Sequence, residues 1–266
     1  MLDSPAPLRL EVAGPVATLT LARPDTRNAL SMATLAALSG ALGDVERDPT
    51  VRALVIAHEG PAFSAGHDLK EITARRADAD RGRGFYVELM AACAEVMTTI
   101  VRAPQPVIAA VEGVATAAGC QLVASCDLAI AGAEARFATP GVNIGLFCST
   151  PMVALSRNVS RKHAMEMLLT GEMADAETAA RIGLVNRVVP AGEALAQAQA
   201  LARTIAEKSA ATLAIGKRAF YEQAEMTLDA AYAHAGRVMV ENMLALDAEE
   251  GICAFLEKRA PTWSQE

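Results

Sequence analysis

Two glycine-bearing turns are the parts of the sequence where backbone groups could carry out chemistry. The first follows the apolar run Val107–Val111, which predicts a buried strand, and leads into a helix beginning near Ala117 to Gly119. Side chains in this turn are hydrogens or methyl groups, so a ligand could approach the backbone closely. Free N–H groups at the start of the helix would face a carbonyl oxygen or an anion. We therefore expect an oxyanion hole, although close packing of helix on strand would explain the same small residues.

The second turn, EGPAFSAGHDLKEI at residues 59–72, has the same construction. It follows an apolar strand predicted at Val51–Ala57, contains Gly66, and places Asp68 where a helix cap is expected. Two turns of this kind in one chain indicate a site whose polar groups are backbone N–H groups.

The charge and the cysteine pattern exclude several classes of function. The chain of 266 residues has a formal net charge of −7 and no strong local basic patch, so we expect no nucleic-acid partner. The five cysteines form no CxxC motif and have no ligand-like spacing with the four histidines. We therefore predict no metal site, and free thiols in a reducing compartment.

Targeting signals and membrane segments are not expected either. The N-terminal MLDSPAPLRLEV has neither the basic region nor the apolar core of a secretory signal. Charged residues and glycines interrupt the longest apolar runs before they reach the ~20 residues of a membrane span. These features predict a cytoplasmic protein without a membrane partner.

Strand and helix patterns alternate as far as residue 190 and are then replaced by helices. Alternating apolar residues over 8–21 predict an opening hairpin, and Asn28 or Ser31 is positioned to cap the first helix. The change in pattern predicts an α/β core over residues 1–190 and a helical region over 191–266.

The helical C-terminal region is unusually apolar. It carries Phe220, Tyr221, Met239, Met243 and Leu246. A lone domain does not usually expose so much apolar surface. We therefore expect this region to be covered in an oligomer.

Five longer motifs resemble the crotonase family of enoyl-CoA hydratases and isomerases. They are AFSAGHDLKEI (62–72), PVIAAVEGVATAAGCQL (106–122), CDLAIAGAEARFATPGVNIGL (126–146), LLTGEMADAETAARIGLVNRVVP (168–190) and EGICAFLEKRAPTW (250–263). Their order and spacing are family-like, and the resemblance covers nearly the whole chain, from about Val12 to Trp263. Within the family, HDLKE, ATAAGCQLVASCD and FATPGVNIGLFCSTP are most similar to the domain-containing protein 3 group of enoyl-CoA hydratase homologues.

The resemblance implies an α/β fold, a crotonase-like spiral of ββα units with a C-terminal helical subdomain. In the family that subdomain mediates assembly, so a homotrimer or a dimer of trimers is implied. Family members bind acyl-CoA thioesters and hold the carbonyl oxygen with two backbone N–H groups. Carried over to this chain, the donors are His67, after Gly66, and Ala118, before Gly119. The His67 ring itself is expected to be exposed or to pack against CoA.

Further positions match CoA contacts of the family. The resemblance implies that Ala65 and Leu69 line the channel for the adenine and the pantetheine, beside Asp68, which we expect to cap a helix. Arg27 would lie along the CoA and Lys258 would approach the CoA of a neighbouring subunit. Either cation is equally explained as a solvated surface charge. No cofactor is implied beyond the CoA moiety of the substrate.

The acid positions depart from the family pattern. Enoyl-CoA hydratases use two glutamates to activate water and to supply a proton. At those positions this chain has Gln121 and Gly141, and Ser149 stands where some relatives carry an aspartate. An amide does not exchange protons near neutral pH and glycine has no side chain, so ordinary hydration is not expected. Replacing Gln121 and Gly141 with glutamate is expected to raise it.

Two functional interpretations follow, and a third is excluded. The first is an acyl-CoA-binding enzyme with atypical or weak hydratase or isomerase activity, in which Gln121 orients water or Asn143, Cys148 or Ser149 replaces the acids. The second is a non-catalytic acyl-CoA binder or scaffold. A serine peptidase of the related Clp-like spiral fold would need a nucleophilic serine where this chain has Ala117-Ala118-Gly119.

Overall fold

The computed structural model describes residues 6–264, so the first five residues of the N-terminal segment considered above lie outside it. The strands are β1 (Leu8–Ala13), β2 (Val16–Leu21), β3 (Ala53–His58), β4 (Ala62–Ser64), β5 (Val107–Val111), β6 (Val114–Thr116), β7 (Leu128–Gly132), β8 (Arg136–Ala138), β9 (Ala174–Asp175) and β10 (Arg187–Val189). The α-helices are α1 (Met32–Arg47), α2 (Leu69–Ala74), α3 (Arg83–Arg102), α4 (Ala118–Ser125), α5 (Pro151–Asn158), α6 (Arg161–Thr170), α7 (Ala176–Arg181), α8 (Ala194–Ala206), α9 (Ala210–Ala224), α10 (Leu228–Met243) and α11 (Leu246–Glu257).

The strands form two sheets that the chain visits in turn. The larger sheet has the order β1-β2-β3-β5-β7-β10 and the smaller has the order β4-β6-β8-β9. β1 and β2 form the predicted antiparallel hairpin, whereas β2, β3, β5, β7 and β10 pair in parallel. Each of β3, β5 and β7 is followed at once by a short strand of the smaller sheet and then by a helix. This repetition is a spiral of ββα units and confirms the predicted fold class.

The short strand β6 was not predicted. The sequence indicates only a small-residue turn after β5, but Val114–Thr116 pair in parallel with both β4 and β8. Gly113 makes the reversal with a φ of +64°, and a Cβ there would lie 2.0 Å from the Pro61 carbonyl oxygen. The pairing therefore places the two glycine-bearing turns at the ends of neighbouring strands, β4 and β6.

Apolar side chains are buried on both faces of the larger sheet. One cluster lies between the sheet and helices α1, α3 and α4, with Leu35, Leu38, Val96 and Leu122 among its members. The other lies between the sheet and α8, whose alanines pack against strand residues such as Ile108. Alanine suits this second face because its short side chain lets the helix approach the sheet closely.

The transition to an all-helical pattern near residue 190 does not coincide with a change in packing. Helix α8 follows it, and the buried residues Ala194, Ala198 and Ala202 lie against the larger sheet. The division into residues 1–190 and 191–266 stays a prediction, and the helices that pack mainly outside the sheet layers begin with α9.

Helix α3 corrects one expectation about membranes. It is the helix among residues 6–264 that is long and apolar enough to span a bilayer by length and composition. The sequence analysis expected no such segment. Its residues Leu89, Cys93, Val96 and Ile100 are buried in the core cluster with α1 and α4. The core helix of a soluble protein can meet the same criterion, which considers length and composition only.

Helix α9 is attached to the core by a buried ion pair. Lys217 Nζ lies 2.7 Å from Asp127 Oδ2 and also donates to the carbonyl oxygens of Ile100 and Gln105. Tyr221 donates to Asp127 Oδ1 at 2.9 Å, so its hydroxyl points inward and the side chain is half-buried, less exposed than the sequence analysis expected. The other four predicted residues are exposed, as are Leu228, Tyr232, Leu244 and Phe255.

Candidate functional site

The first turn connects β4 to α2. Gly66 has a φ of +90°, a conformation that other residues rarely adopt. Asp68 caps α2 as predicted, because its side chain accepts hydrogen bonds from the N–H groups of Lys70 and Glu71. The Ala65 N–H donates to the Arg27 carbonyl oxygen at 3.0 Å, which brings the loop before α1 beside this turn.

The orientation of the Gly66–His67 peptide directs the His67 N–H. The Gly66 carbonyl oxygen accepts a hydrogen bond from the Leu30 N–H at 2.8 Å. In a trans peptide the C=O and the following N–H point in opposite directions. The His67 N–H therefore points away from Leu30, and it has no acceptor within residues 6–264.

The second turn connects β6 to α4 and has an unusual backbone. Ala117 adopts φ 51° and ψ −119°, outside the regions that residues with a side chain ordinarily occupy. Its carbonyl oxygen accepts from the Gln121 N–H at 3.0 Å as part of the first helical turn. The Ala118 N–H consequently points out of the start of α4, and no acceptor for it is found in the described part of the chain.

The two turns lie in contact. A Cβ built on Gly66 would lie 3.1 Å from the Ala118 nitrogen and 2.9 Å from the Ala117 methyl carbon. A Cβ on Gly119 would lie 2.2 Å from the Ser64 carbonyl oxygen, so this approach requires glycine. The structure thus brings together the two residues that the sequence selected as donors, His67 and Ala118.

The His67 ring is turned inward, so an exposed ring, one of the two sequence alternatives, is wrong. Nδ1 lies 3.1 Å from the Leu30 carbonyl oxygen. A carbonyl only accepts, so Nδ1 carries the proton and Nε2 carries the lone pair. Nε2 is buried without a hydrogen-bond partner among residues 6–264, and burial lowers the pKa of the ring. The imidazole is therefore neutral at pH 7.

Gln121 is buried within α4, one turn after Ala118 on the same face. Its Oε1 lies 3.9 Å from the Cys93 sulfur. The amide is placed close to the helix start and can donate or accept a hydrogen bond. It has no proton to exchange near neutral pH, so it can orient a water but cannot act as a general acid or base.

Gly141 lies in a short 3₁₀ turn, Pro140–Ile144, and is buried. A Cβ there would lie 2.5 Å from the Leu146 carbonyl oxygen and 2.9 Å from the Cys148 sulfur. The position therefore requires glycine because the space is filled by backbone and by a thiol.

The cysteines and the serine near Gly141 are poor substitutes for an acid. Burial raises the pKa of the Cys148 thiol, although a hydrogen bond from the Gly141 N–H opposes this, and burial raises the pKa of Cys120 to about 12. Both side chains are therefore neutral thiols at pH 7. Ser149 is exposed, and its hydroxyl donates to the Phe147 carbonyl oxygen at 3.4 Å.

The residues expected along the CoA are found at different places. Ala65 and Leu69 are exposed on the first turn, and Arg27 is exposed in the loop bonded to it. Lys258 is exposed at the C-terminal end of α11, and no hydrogen bond or ion pair within residues 6–264 joins its side chain to either turn. The structure thus clusters three of these positions and leaves Lys258 apart.

Asn28 is a structural residue of the site that the sequence analysis treated only as a candidate cap. Ser31 is the residue that caps α1. Asn28 is buried and donates to the carbonyl oxygens of Glu59 and Ala62, while its Oδ1 accepts from the Arg23 N–H. It therefore fixes the loop before α1 against the segment that leads into the first turn. A lone polar residue in a polar loop gives no sequence signal for such a role.

A family model for enoyl-CoA hydratase/isomerase matches residues 11–266. The chain belongs to this family, the crotonase family that its motifs resemble.

Within residues 6–264, no three His, Cys, Asp or Glu side chains are grouped closely enough to hold a metal ion.

Individual relatives are similar over nearly the whole chain. Enoyl-CoA hydratase domain-containing protein 3 of Rattus norvegicus is 47% identical over 94% of this chain and 81% of its own length, and the protein of that name from Homo sapiens is 46% identical over 99% and 86%. The crystal structure of an enoyl-CoA hydratase from Mycobacterium smegmatis superposes with a TM-score of 0.91 at 53% identity, covering 97% of this chain and 98% of that one. The human domain-containing protein 3 structure gives 0.91 at 44% identity, covering 97% and 100%.

Proposed function

We propose that this chain binds acyl-CoA thioesters and holds the carbonyl oxygen with the N–H groups of His67 and Ala118. The observation that carries the proposal is the contact between two turns whose N–H groups lack acceptors within residues 6–264. Such donors stabilise the negative charge that develops on a thioester oxygen when an enolate forms. One donor is typically worth about 3 kcal/mol in a transition state.

Ordinary hydration would lack its proton transfers. Gln121 can align a water by hydrogen bonding, and Gly141 offers no group at all. General acid–base catalysis typically contributes ~10² to 10⁴-fold, so a slow hydratase or isomerase reaction driven by carbonyl polarisation alone is the expected activity. No cofactor is required beyond the CoA moiety of the substrate.

Crotonyl-CoA hydration measured beside a CoA-thioester binding titration tests the proposal. We expect clear binding with a turnover far below the ~10 s⁻¹ of ordinary enzymes. Turnover at or above that value would overturn the view that Gln121 and Gly141 disable the reaction. Absence of thioester binding would overturn the assignment of the site.

The alternative function is a non-catalytic acyl-CoA binder or scaffold. It is favoured by the packing at Gly141, where Leu146 and Cys148 fill the space that an acid would need. Binding without turnover on any enoyl-CoA or acyl-CoA tested would support it. Measurable turnover that is lost on Gln121→Leu would instead support the enzyme.

The outer contacts and the assembly are part of the proposal. We propose that Arg27, Ala65, Asp68 and Leu69 border the CoA and that Lys258 contacts the CoA of a neighbouring subunit in a homotrimer or a dimer of trimers. The exposed apolar residues of α9, α10 and α11 support an assembly that covers them. Light scattering that shows a stable monomer at micromolar concentration would contradict it. A cytoplasmic location stays a prediction, since the rat and human relatives are named as mitochondrial proteins.

A further inference from the structure

The His67 side chain folds back onto the same residue that holds its peptide. The Leu30 N–H donates to the Gly66 carbonyl oxygen at 2.8 Å, and the Leu30 carbonyl oxygen lies 3.1 Å from His67 Nδ1. Both the N–H and the carbonyl oxygen of Leu30 thus form hydrogen bonds with the first turn. We propose that the His67 imidazole is a positioning group that fixes the Gly66–His67 peptide and so aims the His67 N–H at the thioester oxygen. This inference rests on the proposed function.

The peptide needs such a restraint because a glycine precedes it. Gly66 adopts a φ of +90°, and glycine has more accessible backbone conformations than any other residue. Rotation of the 66–67 peptide would turn the N–H toward Leu30 and remove it from the site. A single hydrogen bond, from the Leu30 N–H, opposes that rotation directly. The imidazole adds a second attachment of the same turn to the same residue.

The neutral form of the His67 ring keeps the Nδ1 proton on the side of the Leu30 carbonyl oxygen. Nδ1 carries the proton because it faces a carbonyl oxygen, and Nε2 is buried without a partner among residues 6–264. Protonation would place a second N–H where the described chain offers no acceptor. Burial also lowers the pKa of the ring, which keeps it neutral. The ring therefore acts by holding the backbone of its own residue in place and does not exchange protons with the substrate.

The competing explanation is that the ring only fills space beside Leu30. Asparagine and leucine separate the two explanations. The Asn amide nitrogen is the same number of bonds from Cβ as Nδ1 of histidine, so it can donate to the Leu30 carbonyl. Leucine has the branched shape of asparagine and no donor. His67→Asn and His67→Leu are therefore a matched pair that differs in the hydrogen bond.

Butyryl-CoA and S-butyl-CoA, in which a CH₂ replaces the carbonyl, are the probes. Their dissociation constants are measured by calorimetry on the full chain for wild type, His67→Asn and His67→Leu. Wild type is expected to prefer the thioester by about five- to hundredfold, the value of the two hydrogen bonds from the His67 and Ala118 N–H groups. His67→Asn should keep that ratio within about twofold. His67→Leu should lower it by about three- to tenfold, the value of the one hydrogen bond lost, while S-butyl-CoA binding changes little.

Each other result has a definite meaning. A wild-type ratio in His67→Leu, equal weakening of both probes in that variant, or a fall of the ratio in His67→Asn as large as in His67→Leu would overturn the positioning role. A ratio of one in the wild type would overturn the proposed function and this inference with it. If His67→Leu does not fold, His67→Ala serves the same comparison, with folding checked by circular dichroism.

Discussion

The candidate site has a backbone part and a side-chain part, and these differ in how they depend on the sequence. The N–H groups of His67 and Ala118 follow a strand end and a helix start, so backbone geometry sets their direction, supported at the first turn by the proposed hydrogen bond from His67 to Leu30. The acid positions proposed from the family resemblance depend on single side chains, and Gln121 and Gly141, the residues proposed there, carry no carboxyl group. A chain of this fold can therefore keep carbonyl polarisation while proton transfer is lost.

The first prediction breaks the backbone part. Gly119→Ala places a methyl carbon 2.2 Å from the Ser64 carbonyl oxygen, so the two turns must separate. We expect the free energy of unfolding to fall by about 3 kcal/mol. Thioester binding should fall with it. Urea unfolding and calorimetry measure both quantities.

A matched glycine provides the control. Gly40 lies within α1, is exposed, and has no atom within 4 Å of a built Cβ. Gly40→Ala should leave binding unchanged and raise stability by about 0.5 to 1 kcal/mol through helix propensity. Equal effects of the two substitutions would show that contact between the turns is not required.

The second prediction concerns the side-chain part and separates its two positions. Gln121→Glu preserves shape at the first turn of α4, where the helix dipole favours a carboxylate. We expect it to raise crotonyl-CoA hydration by up to about 10²-fold, the lower end of the range, because one of two groups is restored. Gln197→Glu, the same change on an exposed part of α8, should not alter the rate.

Adding Gly141→Glu should not improve this variant. The new side chain would collide with the Leu146 carbonyl oxygen at 2.5 Å and with the Cys148 sulfur at 2.9 Å. The structure thus revises the sequence-based expectation that both replacements together raise hydration. If the double variant Gln121→Glu, Gly141→Glu hydrates crotonyl-CoA faster than Gln121→Glu alone, the 140–148 segment can rearrange.

The long strands and both glycine-bearing turns could be predicted from local patterns in the sequence, whereas the spiral was predicted from the family resemblance. Apolar runs marked the long strands, glycines marked the turns, and Asp68 and Ser31 had the chemistry of helix caps. Strand β6 could not be predicted because three residues gain their strand conformation only by pairing with β4 and β8. The β-strand propensity of individual residues does not predict such pairing.

The orientations of His67 and Tyr221 depend on partners that are distant in the sequence. His67 meets Leu30, and Tyr221 meets Asp127. The sequence left the His67 ring exposed or packed against CoA and placed Tyr221 on an apolar surface, because it does not show these tertiary contacts. The packing at Gly141 is instead local, since Leu146 and Cys148 return to it through the turn that follows.

The third prediction uses pH to test the neutral ring. Burial lowers the pKa of both His58 and His67 below the usual 6.5, so the unfolded chain binds protons more readily than the folded one. Stability should be unaffected by these groups above pH 6.5 and should fall as the pH drops below it, by up to about 1.4 kcal/mol per histidine per pH unit. His58 protonation would also remove its acceptance of the Glu112 N–H at 3.0 Å.

Urea unfolding at pH 7.5 and pH 5.5 measures this loss. The interval lies above the range in which the carboxylates of Asp48, Asp80 and Asp175 titrate, because hydrogen bonds lower their pKa values. In His67→Asn, the fall in the free energy of unfolding between these two pH values should be smaller by the contribution of one histidine. An unchanged pH dependence in that variant would mean that the pKa of His67 is the same in the folded and the unfolded chain.

The last and smallest effect compares the two turns with each other. The first turn uses glycine at its left-handed position, whereas the second holds Ala117 at φ 51° and ψ −119°. Such a conformation costs a residue with a side chain about 1 to 3 kcal/mol, and glycine avoids this at an entropic cost of about 0.5 to 1 kcal/mol. Ala117→Gly should therefore raise the free energy of unfolding by about 1 kcal/mol, seen as a higher midpoint in urea. Ala200→Gly, on the exposed face of α8, should lower it by a similar amount.

Thioester preference should persist in Ala117→Gly, because the bond from the Gln121 N–H to the carbonyl of residue 117 still directs the Ala118 N–H. If that preference disappears while stability rises, the methyl group of Ala117 against Gly66 is what keeps the second donor in place, and the strain at this turn serves the site.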